Sequence, residues 1–172
     1  MFIPMIAAVI SLLVIVAYMS SSSLVVDTSQ LRIAFEKMKY TFSIEKVIAE
    51  SVESFCQEDP ATCKSFESSG VITLTMGNIA SYLPANFNND NLLGGNYSYI
   101  EIYNNYSTIR ITHNVPSDIS RKVYLNHYAG KEFGIPPKCH SGSETTSPPC
   151  LSEVVEHNFP TSLETRAALQ GV

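Results

Sequence analysis

Residues 1–26 carry no charged side chain, and the first charge is Asp27. Charged residues make up only 16% of the 172-residue chain, against about a quarter in a typical globular domain. The shortage sits in this opening stretch. No Lys or Arg precedes the apolar run over residues 2–19, so the basic start of a secretory signal peptide is missing. The run is broken only by Pro4, Ser11 and Tyr18, and residues 24–26 extend it. It reaches the roughly 20 apolar residues that a bilayer span needs. Pro4 falls in the first turn, where its missing N–H has no helical partner anyway. The expectation is an uncleaved transmembrane anchor over 1–26 and one extracytoplasmic domain over 27–172. The serine tract at 20–23 is where the alternative, a cleaved signal peptide, would be cut.

Other absences narrow the function. The net charge is -5, and there is no Lys/Arg cluster to neutralise phosphates, which argues against nucleic acid as partner. A polybasic lipid-binding patch is missing too. There is no HExxH, GxSxG, P-loop or GxGxxG motif, and the Gly94-Gly95 pair has no phosphate motif beside it. The four cysteines fall into two local pairs, neither with the tight spacing of a zinc site. They read as two disulfides, Cys56 with Cys63 and Cys139 with Cys150, formed in an oxidising compartment. That pairing places the domain outside the cytoplasm and leaves no thiolate nucleophile. The histidines form no ligand pair at helical spacing, although His113 and His127 lie on inward-facing sides and can meet in space. No catalytic residue, metal or cofactor is expected.

What is present describes an α+β fold. Asp27 or Thr28 can cap a helix over about 28–56. On it Leu31, Phe35, Met38, Phe42, Ile44, Val47, Ile48, Val52 and Phe55 form an apolar face that drifts slowly around the axis. A strand over 71–76 follows, then a short helical turn near Ile79 and Leu83, then an Asn- and Gly-rich loop over 85–95. Strands over Tyr97–Tyr103 and 106–113 flank Asn104-Asn105, a pair suited to a two-residue hairpin turn. That turn pairs Ile100 with Ile109 and Ser98 with Ile111. Ile100, Ile102, Ile109 and Ile111 then share the face that buries against the helix. Tyr99, Tyr103, Tyr106 and Arg110 share the other face and are the candidate interaction surface, since Tyr and Arg favour interfaces. Ser117 can cap a further helix that ends near Gly130, and a strand over 122–128 fits almost as well. The Pro-rich tail reads as irregular structure before a short helix over 162–169. Asn96-Tyr97-Ser98 and Asn105-Tyr106-Ser107 match the glycosylation sequon.

An apolar N-terminal helix, an amphipathic helix, a small antiparallel sheet and a C-terminal disulfide loop resemble the type IV pilin plan. The chain departs from true pilins in lacking a basic leader and a glutamate at position five. Residues 70–130 look more like the PilM-type proteins of thin, type IVb and conjugative pilus systems. The matching features are Leu83-Pro84-Ala85-Asn86-Phe87, the following hairpin and the Ser117 helix ending at glycine. The resemblance implies a non-enzymatic inner-membrane component of pilus assembly or of the pilus base, single-pass, with its C-terminal domain in the periplasm. Its partners would be the lipid bilayer and other pilus-assembly proteins or pilin, with homo-oligomerisation left open. A fibre subunit and a viral or eukaryotic surface glycoprotein are the alternatives.

Overall fold

The computed structural model describes residues 3–127, 132–140 and 153–171, with side chains from Thr28 onward. The chain forms two units, Met1–Ile33 and Ala34–Val172. The first is helical, the N-terminal part of α1 (Ile3–Glu58). Among the described residues no helix is long and apolar enough to cross a membrane. The expected fold class is corrected on that point, and the expected single-pass placement in a bacterial inner membrane falls with it. From Thr28 onward α1 meets a charge every few residues, at Arg32, Glu36, Lys37, Lys39, Glu45, Lys46, Glu50 and Glu53. Each of these is costly in hydrocarbon. The side chains of 3–27, on which the anchor expectation rested, lie outside the described residues.

The second unit is α+β, as the apolar periodicity predicts. Along α1, Ala34, Met38, Phe42, Glu45, Ile48, Val52 and Phe55 are buried. Their steps of three and four put them on one side of the helix. Leu31, expected on that side, is 46% exposed, and Ile33 is 56% exposed. Asp59 then caps α2 (Pro60–Ser65), accepting from the Thr62 backbone N–H at 3.1 Å, and Pro60 fills a first-turn position that needs no donor. The expected disulfide Cys56–Cys63 staples this corner.

Among the described residues six strands follow: β1 (Glu67–Ser68), β2 (Val71–Leu74), β3 (Tyr97–Tyr103), β4 (Thr108–Asn114), β5 (Ile135–Cys139) and β6 (Val154–Pro160). They form one sheet in the order β1-β2-β3-β4-β6-β5, antiparallel throughout. Helix α3 (Asp118–Asn126) connects β4 to β5, and α4 (Leu163–Gln170) ends the chain. Ser117 and Ser162 cap them through their hydroxyls. The main core lies between one sheet face and α1. Ile48, Val52 and Phe55 meet Ile72, Leu74, Ile100, Ile102, Ile109, Ile111 and Phe159 there. A second cluster joins Ala34, Met38 and Phe42 to Val123, Tyr124 and Val155.

Two expectations are corrected in the sheet. The β3–β4 connection is a four-residue turn, with Asn104, Asn105 and Tyr106 all at positive φ. Ile100 therefore pairs with Ile111 and Ile102 with Ile109. The slip is two residues, and side chains alternate with period two, so the four isoleucines keep their inward face. The described part of the tail is not irregular either, since β6 is an interior strand between β4 and β5, while residues 141–152 lie outside the described residues. Its inward positions are Val155, His157 and Phe159, and the polar residues among them broke the apolar alternation that marks a strand. The prolines fit this arrangement, because Pro136 and Pro137 sit in the edge strand β5, where a missing donor costs least. Cys139 ends β5 and is disulfide-bonded, while Cys150, its expected partner, lies outside the described residues.

The Asn-rich loop before β3 is pinned by a close backbone approach. A Cβ added at Gly95 would stand 1.9 Å from the Asn114 carbonyl oxygen. Gly95→Ala must push the loop off β4, and it should lower unfolding free energy by about 1–3 kcal/mol. Urea denaturation checks this, and an unchanged midpoint would show that the loop is not seated as described.

Candidate functional site

Two groups of polar side chains stand out, one on each face of the sheet. On the outer face, β3 contributes Tyr99, Glu101 and Tyr103, β4 contributes Arg110 and Thr112, and β6 contributes Glu156 and Asn158. Glu101 and Arg110 are direct cross-strand partners, and Arg110 Nη1 donates to Glu101 Oε2 at 2.9 Å. The guanidinium also lies 4.3 Å from the centre of the Tyr103 ring, a cation–π contact. Tyr103 OH donates to Asn158 Oδ1 at 3.3 Å. Glu156 is buried beneath this layer, with Lys138 Nζ at 3.0 Å, His140 Nδ1 at 2.7 Å and Arg110 Nε at 3.6 Å. Burial by itself pushes the Glu156 carboxyl up, but His140, Lys138 and Arg110 outweigh it and hold the group below its usual range.

Of the four residues expected on this surface, Tyr99, Tyr103 and Arg110 lie together. Tyr106 does not. The longer turn carries it to the hairpin tip, where its hydroxyl donates to Glu67 at 2.9 Å and its ring packs against the main core.

Tyr99 OH lies 2.9 Å from His140 Nε2, and His140 in turn contacts Glu156. The chain has the outline of a nucleophile, base and acid. Burial, and then the charge of Glu101, push the Tyr99 phenol up from its ordinary value. An activated nucleophile needs the opposite shift. The arrangement orients the three side chains.

On the inner face a carboxylate is buried completely. Glu45 sits on the apolar stripe of α1, between Phe42 and Ile48. Its Oε1 lies 2.8 Å from His113 Nε2 and accepts from Tyr124 OH at 2.8 Å. Its Oε2 lies 2.5 Å from His157 Nδ1. Four elements therefore converge on one group: α1, β4, α3 and β6. Burial pushes the Glu45 carboxyl up, and the charge of His157 with the hydrogen bonds from His113 and His157 overcomes this and brings it down to about 2. Asn91 settles the state of His113. Asn91 Oδ1 accepts from the Leu93 and Gly95 backbone N–H groups, so its Nδ2 faces the ring and donates to His113 Nδ1 at 3.2 Å. His113 Nδ1 is then an acceptor, and its proton is on Nε2, toward Glu45 and Tyr124. Among the described residues no group of His, Cys, Asp and Glu is placed to hold a metal ion.

His113 and His127, which the sequence left free to meet, have different neighbours. His127 packs edge-on against Phe35, with ring centres 4.9 Å apart. Sequence reasoning passed over Glu45, His157, Tyr124 and Asn91 as a group. One signal was there: a glutamate at a core position of a helix asks for buried partners. Comparison of the chain with protein-family models, with curated proteins and with solved structures found no match.

Glu45→Gln removes the buried carboxylate that meets His113, Tyr124 and His157 and should cost about 3–5 kcal/mol of unfolding free energy, as for other broken buried pairs. Chemical denaturation near neutral pH measures it, and a loss indistinguishable from that of an exposed substitution such as Glu36→Gln would contradict the pairing. The pH dependence has a definite sign. The folded-state pKa lies below the ordinary 4.5, so the stabilisation is complete above that value and is lost as pH falls toward 2. Over this window the wild type should lose more stability than Glu45→Gln. Parallel curves would show that Glu45 has no part in acid unfolding.

Proposed function

We propose that this chain is a non-enzymatic component of type IV or conjugative pilus assembly that binds a partner protein through the outer face of its sheet. The observation that carries the reading is the fixed set of Tyr99, Tyr103 and Arg110. These side chains are held in place before any partner arrives, Arg110 by Glu101 and the Tyr103 ring, Tyr99 by His140. Rigid aromatic and guanidinium groups lose little entropy on binding and supply most interface hot spots. The sheet edges offer less to a partner. β1 is two residues long, and β5 carries two prolines, so strand addition is disfavoured at both ends.

The helix-on-antiparallel-sheet plan accords with the pilin-like organisation that the sequence resembles. The raised phenol of Tyr99 and the mutual pairing of the outer-face charges support binding over catalysis. The partner this reading calls for is pilin or another protein of the assembly machinery. A subunit of the fibre itself shares the same plan, and its presence in sheared pili separates that reading from an assembly component.

The test is pilus formation in the organism that encodes the chain. Tyr103→Ala combined with Arg110→Ala should cut surface pili by about tenfold or more, since each hot spot carries about 2 kcal/mol, while the thermal midpoint moves by only a few degrees. Normal piliation with the folded double variant, or with the gene deleted, would overturn the proposal.

A further inference from the structure

Just past the end of β5, the His140 ring stands between two groups that treat its nitrogens differently. Nδ1 lies 2.7 Å from Glu156 Oε2, and Nε2 lies 2.9 Å from the Tyr99 hydroxyl. The His140 side chain is 29% exposed and that of Glu156 only 5%, so solvent protons reach the ring while the carboxylate stays covered. A carboxylate only accepts, and Lys138 and Arg110 beside Glu156 favour that form. Nδ1 therefore carries a proton in either charge state of the ring. A neutral imidazole has one N–H, so Nε2 is then a bare lone pair and the Tyr99 hydroxyl donates to it. An imidazolium donates from both nitrogens. Nε2 then donates to the Tyr99 oxygen, and the phenolic proton has to leave this bond. Its other acceptors are solvent and the hydroxyl of Thr112, the direct cross-strand partner of Tyr99.

The ring also decides the charge of the surface. Among the described residues, the charged and titratable groups about His140 are Tyr99 and Glu101 on β3, Arg110 on β4, Lys138 on β5 and Glu156 on β6. Two acids face two bases, and a neutral ring leaves them balanced. A proton on His140 adds a positive charge that no further acid in this group offsets. Imidazole is the side chain whose charge ordinarily changes between about pH 5 and 8. Carboxylate, ammonium and guanidinium groups ordinarily keep theirs over that range.

We propose that His140 is a pH switch of the outer sheet face. With the ring neutral, the face is balanced and the Tyr99 hydroxyl is tied to Nε2 as a donor. With the ring protonated, the face gains a positive charge, Tyr99 accepts from the ring, and its own proton turns to a new acceptor. A partner that brings a carboxylate to this face is favoured by the acid form. That last consequence rests on the outer face being the partner surface, whereas the switch itself does not.

NMR on the full-length chain tests the switch without a partner. Long-range proton–nitrogen spectra identify the His140 signals by their loss in His140→Gln. They should show the Nδ1–H tautomer at about pH 8 and the imidazolium at the acid end of the range. The Tyr99 Cζ shift should move with the same midpoint as the ring and stay flat over that range in His140→Gln. In Tyr99→Phe the ring should still titrate from the Nδ1–H tautomer. An Nε2–H tautomer in the neutral ring would overturn the proposal. So would a ring that keeps one charge state throughout, or a Tyr99 shift indifferent to the titration of His140. None of these readings depends on piliation, so a failed switch and a failed partner surface are told apart.

Discussion

A carboxylate without water must have its charge and lone pairs met by protein groups, and Glu45 imposes that demand where α1, α3, β4 and β6 come together. Apolar contact is non-directional. The isoleucine face of the sheet would accept several rotations and slides of the helix at similar cost. Hydrogen bonds from His113, Tyr124 and His157 accept only one. A slide of α1 by a single turn would leave the charge buried and unpaired, a penalty of several kcal/mol. The hydrophobic stripe supplies most of the driving force, and Glu45 selects the register.

The same demand reaches further out. His113 can turn its protonated nitrogen toward Glu45 only because Asn91 donates to the other. Asn91 is held by backbone donors of its own loop, and that loop closes because Gly95 has no side chain to strike Asn114. The outer face is organised on a different principle. There every charge has a neighbour of opposite sign on the adjoining strand, and the sheet presents a prearranged polar surface.

Much of the architecture is legible in the residues. The three- and four-residue spacing on α1, the Ser117 cap, the short helix expected over 162–169 and the alternation of the four isoleucines match the elements found. The Cys56–Cys63 pair follows from proximity and even count. The hairpin register was legible only to within two residues, because Asn104, Asn105 and Tyr106 all adopt positive φ and the turn lengthened beyond the Asn-Asn pair. That shift also removed Tyr106 from the expected surface while leaving Tyr99, Tyr103 and Arg110 on it. Strand β6 was hidden because its inward His157 reads as polar until its partner on α1 is known. Glu45 was hidden for the mirror-image reason. Each half of the pair looks like a defect in its own segment, and 112 residues separate them.

The central claim is that Glu45 and His157 form one energetic unit joining α1 to the sheet. A double-mutant cycle with Glu45→Gln and His157→Gln, read by chemical denaturation at neutral pH, measures this directly. A coupling energy above about 1 kcal/mol is predicted for groups in one buried network, whereas additivity within about 0.5 kcal/mol would contradict the account.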